Sequence, residues 1–152
     1  MIIDIRDIGF EKRRFTGDEP ASIIGLEDEN VKVDSPVRYD LQVYVVSNEL
    51  LIEGTLSTGV LFRCSRCAEY FRHNAVVRDF RRVRDAGAEI EYVDLTGDIR
   101  EAIILSFPNY PVCREGCRGL CSMCGRNLND GGCDCGPPAE NRWEALDGLN
   151  IG

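Results

Sequence analysis

One histidine stands in this 152-residue chain, and its scarcity removes whole classes of chemistry. His73 sits in Arg72-His73-Asn74, with no HExxH and no HxE around it. Metalloprotease and zinc-deaminase signatures are therefore absent, and His73 reads as an exposed strand residue. The chain also lacks GxGxxG, GxxxxGK[ST] and GxSxG, the glycine-rich loops and nucleophile elbow that hold phosphates or an activated serine. Carboxylates are plentiful but scattered, so no acid–base pair stands out. The expectation is a protein that is not an enzyme. No apolar run approaches the roughly 18–20 residues of a membrane span. The start, Met1-Ile2-Ile3-Asp4-Ile5-Arg6-Asp7-Ile8, alternates apolar and charged residues and lacks the basic and continuous apolar regions of a signal peptide. A cytoplasmic location, where thiols stay reduced, is expected.

The length suits one domain, or a domain with a small appended module, and is enough for a real core. A formal net charge of −8 argues against simple coating of a nucleic acid. The charge is uneven, however. Segment 62–84 holds seven arginines (63, 66, 72, 78, 81, 82 and 84) against Glu69 and Asp79, a local +5 that leaves −13 for the rest. A basic segment on an acidic body suits a protein touching both RNA and basic proteins, with Arg78, Arg81, Arg82 and Arg84 as the RNA-facing candidates. Solvated arginines on a strand pair are the bland alternative.

Periodicity predicts an α+β fold, an antiparallel meander with one main helix. Residues 2–8 read as a first strand and 10–30 as loop around a short strand or turn near 22–26. Residues 37–46 alternate cleanly, with Val37, Tyr39, Leu41, Val43 and Val45 on one face. Ser47-Asn48-Glu49 is a hairpin turn, and the return strand 50–62 carries Ile52, Leu56, Val60 and Phe62, broken at Gly54 and Gly59, where a bulge or tight bend is expected. A third strand, 70–83, is followed by a loop at 85–89 and a short strand at 90–93. Thr96-Gly97-Asp98-Ile99 opens a helix, with Thr96 as the cap; its apolar residues run nearly all round, so it should pack into the strands as the main core helix. Pro108 and Pro111 end it. The expected organisation is a β-rich domain over 1–112, a cysteine-rich tail over 113–136 packed on the 64–67 turn, and 137–152 as a stiff spacer with a short helix near 141–149.

Eight cysteines give the chain its purpose. Cys64-Ser65-Arg66-Cys67 and Cys121-Ser122-Met123-Cys124 are CxxC turns, in which two thiolates can face one ion, and Gly125 can take the left-handed conformation that the second of these turns needs. Cys133-Asp134-Cys135 returns two more thiols, so CxxC-x8-CxC can complete one S4 shell, leaving Cys64, Cys67, Cys113 and Cys117 for a second. An exchanged grouping, with the two CxxC knuckles sharing an ion, remains open on sequence alone. Structural zinc fits these all-thiolate sets better than an iron–sulfur cluster. A thioredoxin-like pair lacks its βαβ context, and a catalytic zinc would recruit histidine or carboxylate.

These pieces together resemble the bacterial YceD family of large ribosomal RNA subunit accumulation proteins. The matching residues are Ile-Asp-Ile-Arg at 3–6, Cys64-Ser-Arg-Cys67, Asp94-Leu-Thr-Gly-Asp-Ile-Arg-Glu-Ala-Ile-Ile-Leu and Cys113-x3-Cys-Arg-Gly-Leu-Cys-x2-Cys-Gly-Arg-Asn-Leu-Asn129, closed by Cys133-Asp-Cys135. The resemblance implies a factor in ribosome biogenesis that supports accumulation or processing of large-subunit (23S) rRNA, with that rRNA or its precursor and ribosomal or assembly proteins as partners. Two other readings compete: an acidic adaptor for a basic ribosomal protein without RNA contact, and a redox-responsive metal switch.

Overall fold

The computed structural model describes residues 1–6, 8–85 and 91–136. Its centre is a long strand, β5 (Glu49–Arg63), flanked on one edge by β6 (Tyr70–Asp85) along its whole length. The other edge is shared in succession by β4 (Val37–Val46) and the short β3 (Val31–Val33), and β2 (Arg13–Glu19) pairs outside β4. All these pairings are antiparallel. A second, two-stranded sheet joins β1 (Ile2–Asp4) to β7 (Tyr92–Asp94), which leads directly into the helix α1 (Thr96–Leu105). The fold is α+β, with the sheet, the helix and the cysteine cluster that were expected.

Local chemistry explains the meander. Ser47 and Asn48 both take positive φ, 49° and 70°, so β4 turns into β5 through a two-residue loop whose twist matches the strands. Alternation then buries one face: Val37, Leu41 and Val43 from β4 meet Leu50, Ile52 and Leu56 from β5, all at 1% exposure or less. Ile24, Val93, Leu95, Ile99 and Ile103 close over them, so α1 and the small sheet form the second layer of the core. A satellite cluster of Val60, Phe62 and Ala75 continues toward the cysteines, with Phe62 meeting Phe107 edge-on at 5.2 Å between ring centres.

One irregularity re-aims the basic strand. Gly54 pairs with Phe80 but Leu56 pairs with Val77, so β6 spends an extra residue around Arg78 and Asp79 opposite Thr55. Ala75 and Val77 point inward before this bulge, and Phe80 and Arg82 after it. The sequence reading treated 70–83 as one unbroken strand and could not separate its arginines by face.

Several expectations need correction. Residues 13–19, expected as loop, are a strand whose alternation is hidden by Arg13, Arg14, Gly17 and Asp18, whereas the turn expected near 22–26 is there as a 3-10 turn, Ala21–Ile24. The first strand is three residues long rather than seven, because Ile8 folds back to donate to the Ile5 carbonyl. Gly59 does not break β5; it pairs in register with Asn74. Thr96 is not the helix cap: Asp94 accepts both its N–H (2.9 Å) and its hydroxyl (2.6 Å). The helix also buries less than its composition suggests, with Ile99 and Ile103 enclosed while Leu105 is 76% exposed. Of the loop expected over 85–89, Asp85 instead ends β6, and the remainder, like the helix expected near 141–149, lies outside the described residues.

Gly54 is the tightest point of the sheet, since a Cβ there would stand 2.1 Å from the Asp40 carbonyl oxygen and 2.9 Å from Leu41 Cα. Both neighbours are backbone of the paired strand and cannot swing away. Gly54→Ala is expected to lower stability by about 2–3 kcal/mol, read as a shift of the urea midpoint at unchanged slope.

Candidate metal centre

The turn between β5 and β6 is built to present sulfur. Cys64 N–H donates to the Glu69 carbonyl and Ala68 N–H returns to the Cys64 carbonyl, both at 2.9 Å, which closes a tight loop over Cys64–Cys67. Ala68 takes φ +61°, a left-handed conformation that costs a residue with a Cβ roughly 1 kcal/mol. The tail repeats the device: Gly125 N–H donates to the Cys121 carbonyl at 2.9 Å with φ +72°, here without that cost. Two knuckles of the same design thus come from distant parts of the chain.

The eight thiols fall into two sets of four. Cys64, Cys67, Cys113 and Cys117 form one, Cys121, Cys124, Cys133 and Cys135 the other, and within each set the sulfurs lie within 4.8 Å of one another. The exchanged grouping left open by the sequence is not the one the fold brings together. In the first set Cys64 Sγ stands 3.8 Å from Cys117 Sγ, and Cys67 Sγ 3.8 Å from Cys113 Sγ. A tetrahedron with metal–sulfur bonds of about 2.3 Å has edges of about 3.8 Å, so these sulfurs are already at the spacing of a mononuclear S4 shell. All eight cysteines are free thiols.

Both sets can therefore hold a metal ion, in different surroundings. Cys64, Cys67 and Cys117 are buried and Cys113 is half-buried, whereas Cys124 and Cys135 are exposed. Around the first set, burial pushes the Cys64 thiol up, but N–H groups of Cys67, Cys113 and Arg66 outweigh it and hold Cys64 at about 6. The opposite corner is protonated: burial, then crowding by Cys117, Cys64 and Cys67, lifts Cys113 to about 12. The second set repeats the contrast. N–H groups of Cys124 and Met123 lower Cys121 to about 6, while the neighbouring Cys124 lifts Cys135 to about 12. Four thiolates crowded together repel, and a cation at their centre removes the repulsion.

Arg66 and Asn129 also belong to this centre: Asn129 Nδ2 reaches Cys117 Sγ at 3.4 Å, whereas in the sequence Arg66 stands out only as charge and Asn129 only as the end of a motif. Arg66 sits between the knuckle cysteines and donates to the carbonyls of Glu115 and Cys117, both at 3.2 Å, while its own carbonyl accepts the Leu120 N–H at 3.0 Å. Ser65 N–H adds a bond to the Pro111 carbonyl at 2.8 Å. The tail is thus docked on the meander turn by backbone bonds as well as sulfur.

The arginine candidates are split by the β6 bulge. Arg82 bridges Asp98 (2.8 Å) and Glu101 (2.9 Å), and Arg84 pairs with Asp98 at 2.5 Å, so these two brace α1 against the sheet. Arg81 faces outward, with a long 3.5 Å contact to Glu53. Arg78, at the bulge, is exposed and, among the described residues, has no ion pair. His73 is an exposed strand residue whose ring lies 5.7 Å from that of Phe62.

Residues 52–150 match the family model YceD, described as large ribosomal RNA subunit accumulation protein. The chain belongs to the YceD family. An uncharacterized protein of Mycobacterium leprae is 29% identical over 119 residues, covering 69% of this chain and 55% of its own length. One from Mycobacterium tuberculosis H37Rv is 31% identical over 116 residues, covering 67% and 56%. A chloroplastic YCED homolog 1 of Arabidopsis thaliana, named for large ribosomal RNA subunit accumulation, is 38% identical over 48 residues, 32% of this chain and 15% of that one. The chain spans about half the length of the mycobacterial relatives it matches. No solved structure matches it. Among the described residues no helix is long and apolar enough to cross a membrane.

Gly119 carries the approach of the tail. It takes φ +74°, and a Cβ there would stand 3.1 Å from the Arg66 carbonyl oxygen. Gly119→Ala should loosen the docked tail by about 1–2 kcal/mol and raise amide exchange at Leu120 and Leu128 while leaving the β4–β5 hairpin protected.

Proposed function

We propose that this protein is a non-catalytic, cytoplasmic factor in ribosome biogenesis that supports accumulation or processing of large-subunit rRNA. Its partners on this reading are that rRNA or its precursor and ribosomal or assembly proteins. The observation that carries the proposal is the pair of compact four-thiol clusters in a member of the YceD family. Both clusters are assigned to structural zinc. All-thiolate tetrahedral shells select zinc or iron–sulfur chemistry, and sulfurs only 3.8 Å apart favour a single ion over a polynuclear cluster, which would spread them. Zinc supplies no reaction here; it fixes the tail on the β5–β6 turn and presents a rigid surface.

RNA contact falls first to Arg78 and Arg81, the exposed pair beside the bulge, whereas Arg82 and Arg84 already answer Asp98 and Glu101. The acidic-adaptor reading has its own support: most sheet arginines are neutralised by carboxylates, leaving a chain of net charge −8. Binding to fragments of large-subunit rRNA across a salt series separates the two. On the RNA reading, Arg78→Ala with Arg81→Ala lowers the magnitude of the log-affinity against log-salt slope by about 2. An unchanged slope, or no binding by the wild type, would favour the adaptor.

The purified protein is expected to carry two equivalents of zinc by elemental analysis, and Cys64→Ser or Cys124→Ser should each remove one. Uptake by the zinc-free protein near pH 7.5 must strip Cys113 and Cys135, both near 12 without the ion, so about one proton or more leaves per ion. The sign follows: zinc holds these thiolates ionised, so its stabilisation is present at neutral pH and fades as acid reprotonates them. Calorimetry in buffers of different ionisation enthalpy measures the release; zero protons would contradict protonated Cys113 and Cys135 in the zinc-free protein.

A further inference from the structure

We propose that Asn129 couples the two four-thiol sites, so that they fill as one unit rather than independently. This rests on reading both clusters as metal sites. Asn129 lies between Cys124 and Cys133, in the loop that the second site closes, yet its side chain points at the first. Its Nδ2 donates to Cys117 Sγ at 3.4 Å and to Asn127 Oδ1 at 2.8 Å. Its Oδ1 accepts the Arg118 N–H and the Arg114 guanidinium, each at 2.9 Å. Asn127 Oδ1 also takes the Asn129 N–H at 3.0 Å, and Asn127 bridges to Leu120 across the tail.

A carboxamide fits these demands. One end must accept from the backbone next to Cys117 while the other donates to the sulfur, which no carboxylate or aliphatic side chain can do. A donor to a ligating thiolate draws off negative charge and fixes its orientation, and losing such a partner costs typically 10–100-fold in metal affinity. The same residue is held in place by the loop between Cys121-x2-Cys124 and Cys133-x-Cys135, where Cys121 N–H meets the Arg126 carbonyl (2.8 Å) and Leu128 N–H the Gly119 carbonyl (2.9 Å). An ion in the second site orders that loop and aims Asn129; an ion in the first fixes Cys117 and gives Asn129 its acceptor. The coupling is reciprocal by linkage. The buried site that clasps the tail is therefore completed by the exposed one at its tip.

Native mass spectrometry of the full chain during substoichiometric addition of zinc tests this, with chelator competition for the affinities. The wild type should populate mainly the zero- and two-zinc forms. Asn129→Ala should let the one-zinc form accumulate and weaken a site 10–100-fold. Asn129→Asp keeps the acceptor oxygen for Arg118 and Arg114 but loses the donor to Cys117; it should behave as the alanine variant does, with circular dichroism verifying the sheet. Removing the second site by Cys124→Ser with Cys135→Ser should weaken the first by a similar factor, and adding Asn129→Asp to that background should change affinity less than about twofold. Wild-type affinities in Asn129→Asp, or a dominant one-zinc wild type at half saturation, would overturn the coupling while leaving the metal assignment intact. A wild type that takes up no divalent metal would overturn both.

Discussion

The contact between Cys64–Cys67 on the β5–β6 turn and Cys113–Cys117 at the start of the tail is the constraint on which the rest of the molecule depends. The facing thiols of Cys67 and Cys113 are 46 residues apart in sequence and 3.8 Å apart in space. By the chain-entropy relation for cross-links, closing a loop of that length is worth about 4 kcal/mol, against about 3 kcal/mol for the shorter loop from Cys121 to Cys135. That is comparable with the whole stability of a small domain. The first cluster thus belongs to the body of the protein as much as to the tail: Phe71 packs on it, and Phe62 with Phe107 links it to the helix.

The sheet and the metal centre share a logic of placing charge by backbone irregularity. A single extra residue in β6 divides four closely spaced arginines into two that brace α1 and two that face solvent. The bracing pair works at low exposure, with Arg82 26% and Asp98 12% exposed, where an ion pair with good geometry keeps more of its strength than on an open surface. In the knuckles, the N–H groups of Arg66 and Cys113 point at Cys64 Sγ and that of Met123 at Cys121 Sγ, which holds both thiols well below their ordinary range. The site is preorganised by its main chain.

The hairpin, the core helix and the cysteine knuckles were legible because each rests on a local rule: period-two alternation over 37–46, the helix opening at Thr96–Ile99 with its dense apolar residues, and CxxC spacing. The strand over 13–19 was not, because it pairs at the margin of β4 and only Phe15 packs against the core from it. The bulge was marked in the sequence only by Gly54, and nothing in composition places its extra residue at Arg78 and Asp79 of the facing strand. Grouping of the thiols needed the fold, since spacing alone allowed the knuckles to pair with each other. The roles of Arg66 and Asn129 depend on contacts across 51 and 12 residues, beyond the reach of any local pattern.

The central claim is that each set of four thiols holds one mononuclear ion in an all-sulfur shell. X-ray absorption at the metal edge of the purified protein tests it most directly. The account predicts a single shell of four sulfur scatterers at about 2.3 Å with no metal–metal vector. A short metal–metal distance, or a shell containing nitrogen or oxygen ligands, would contradict it.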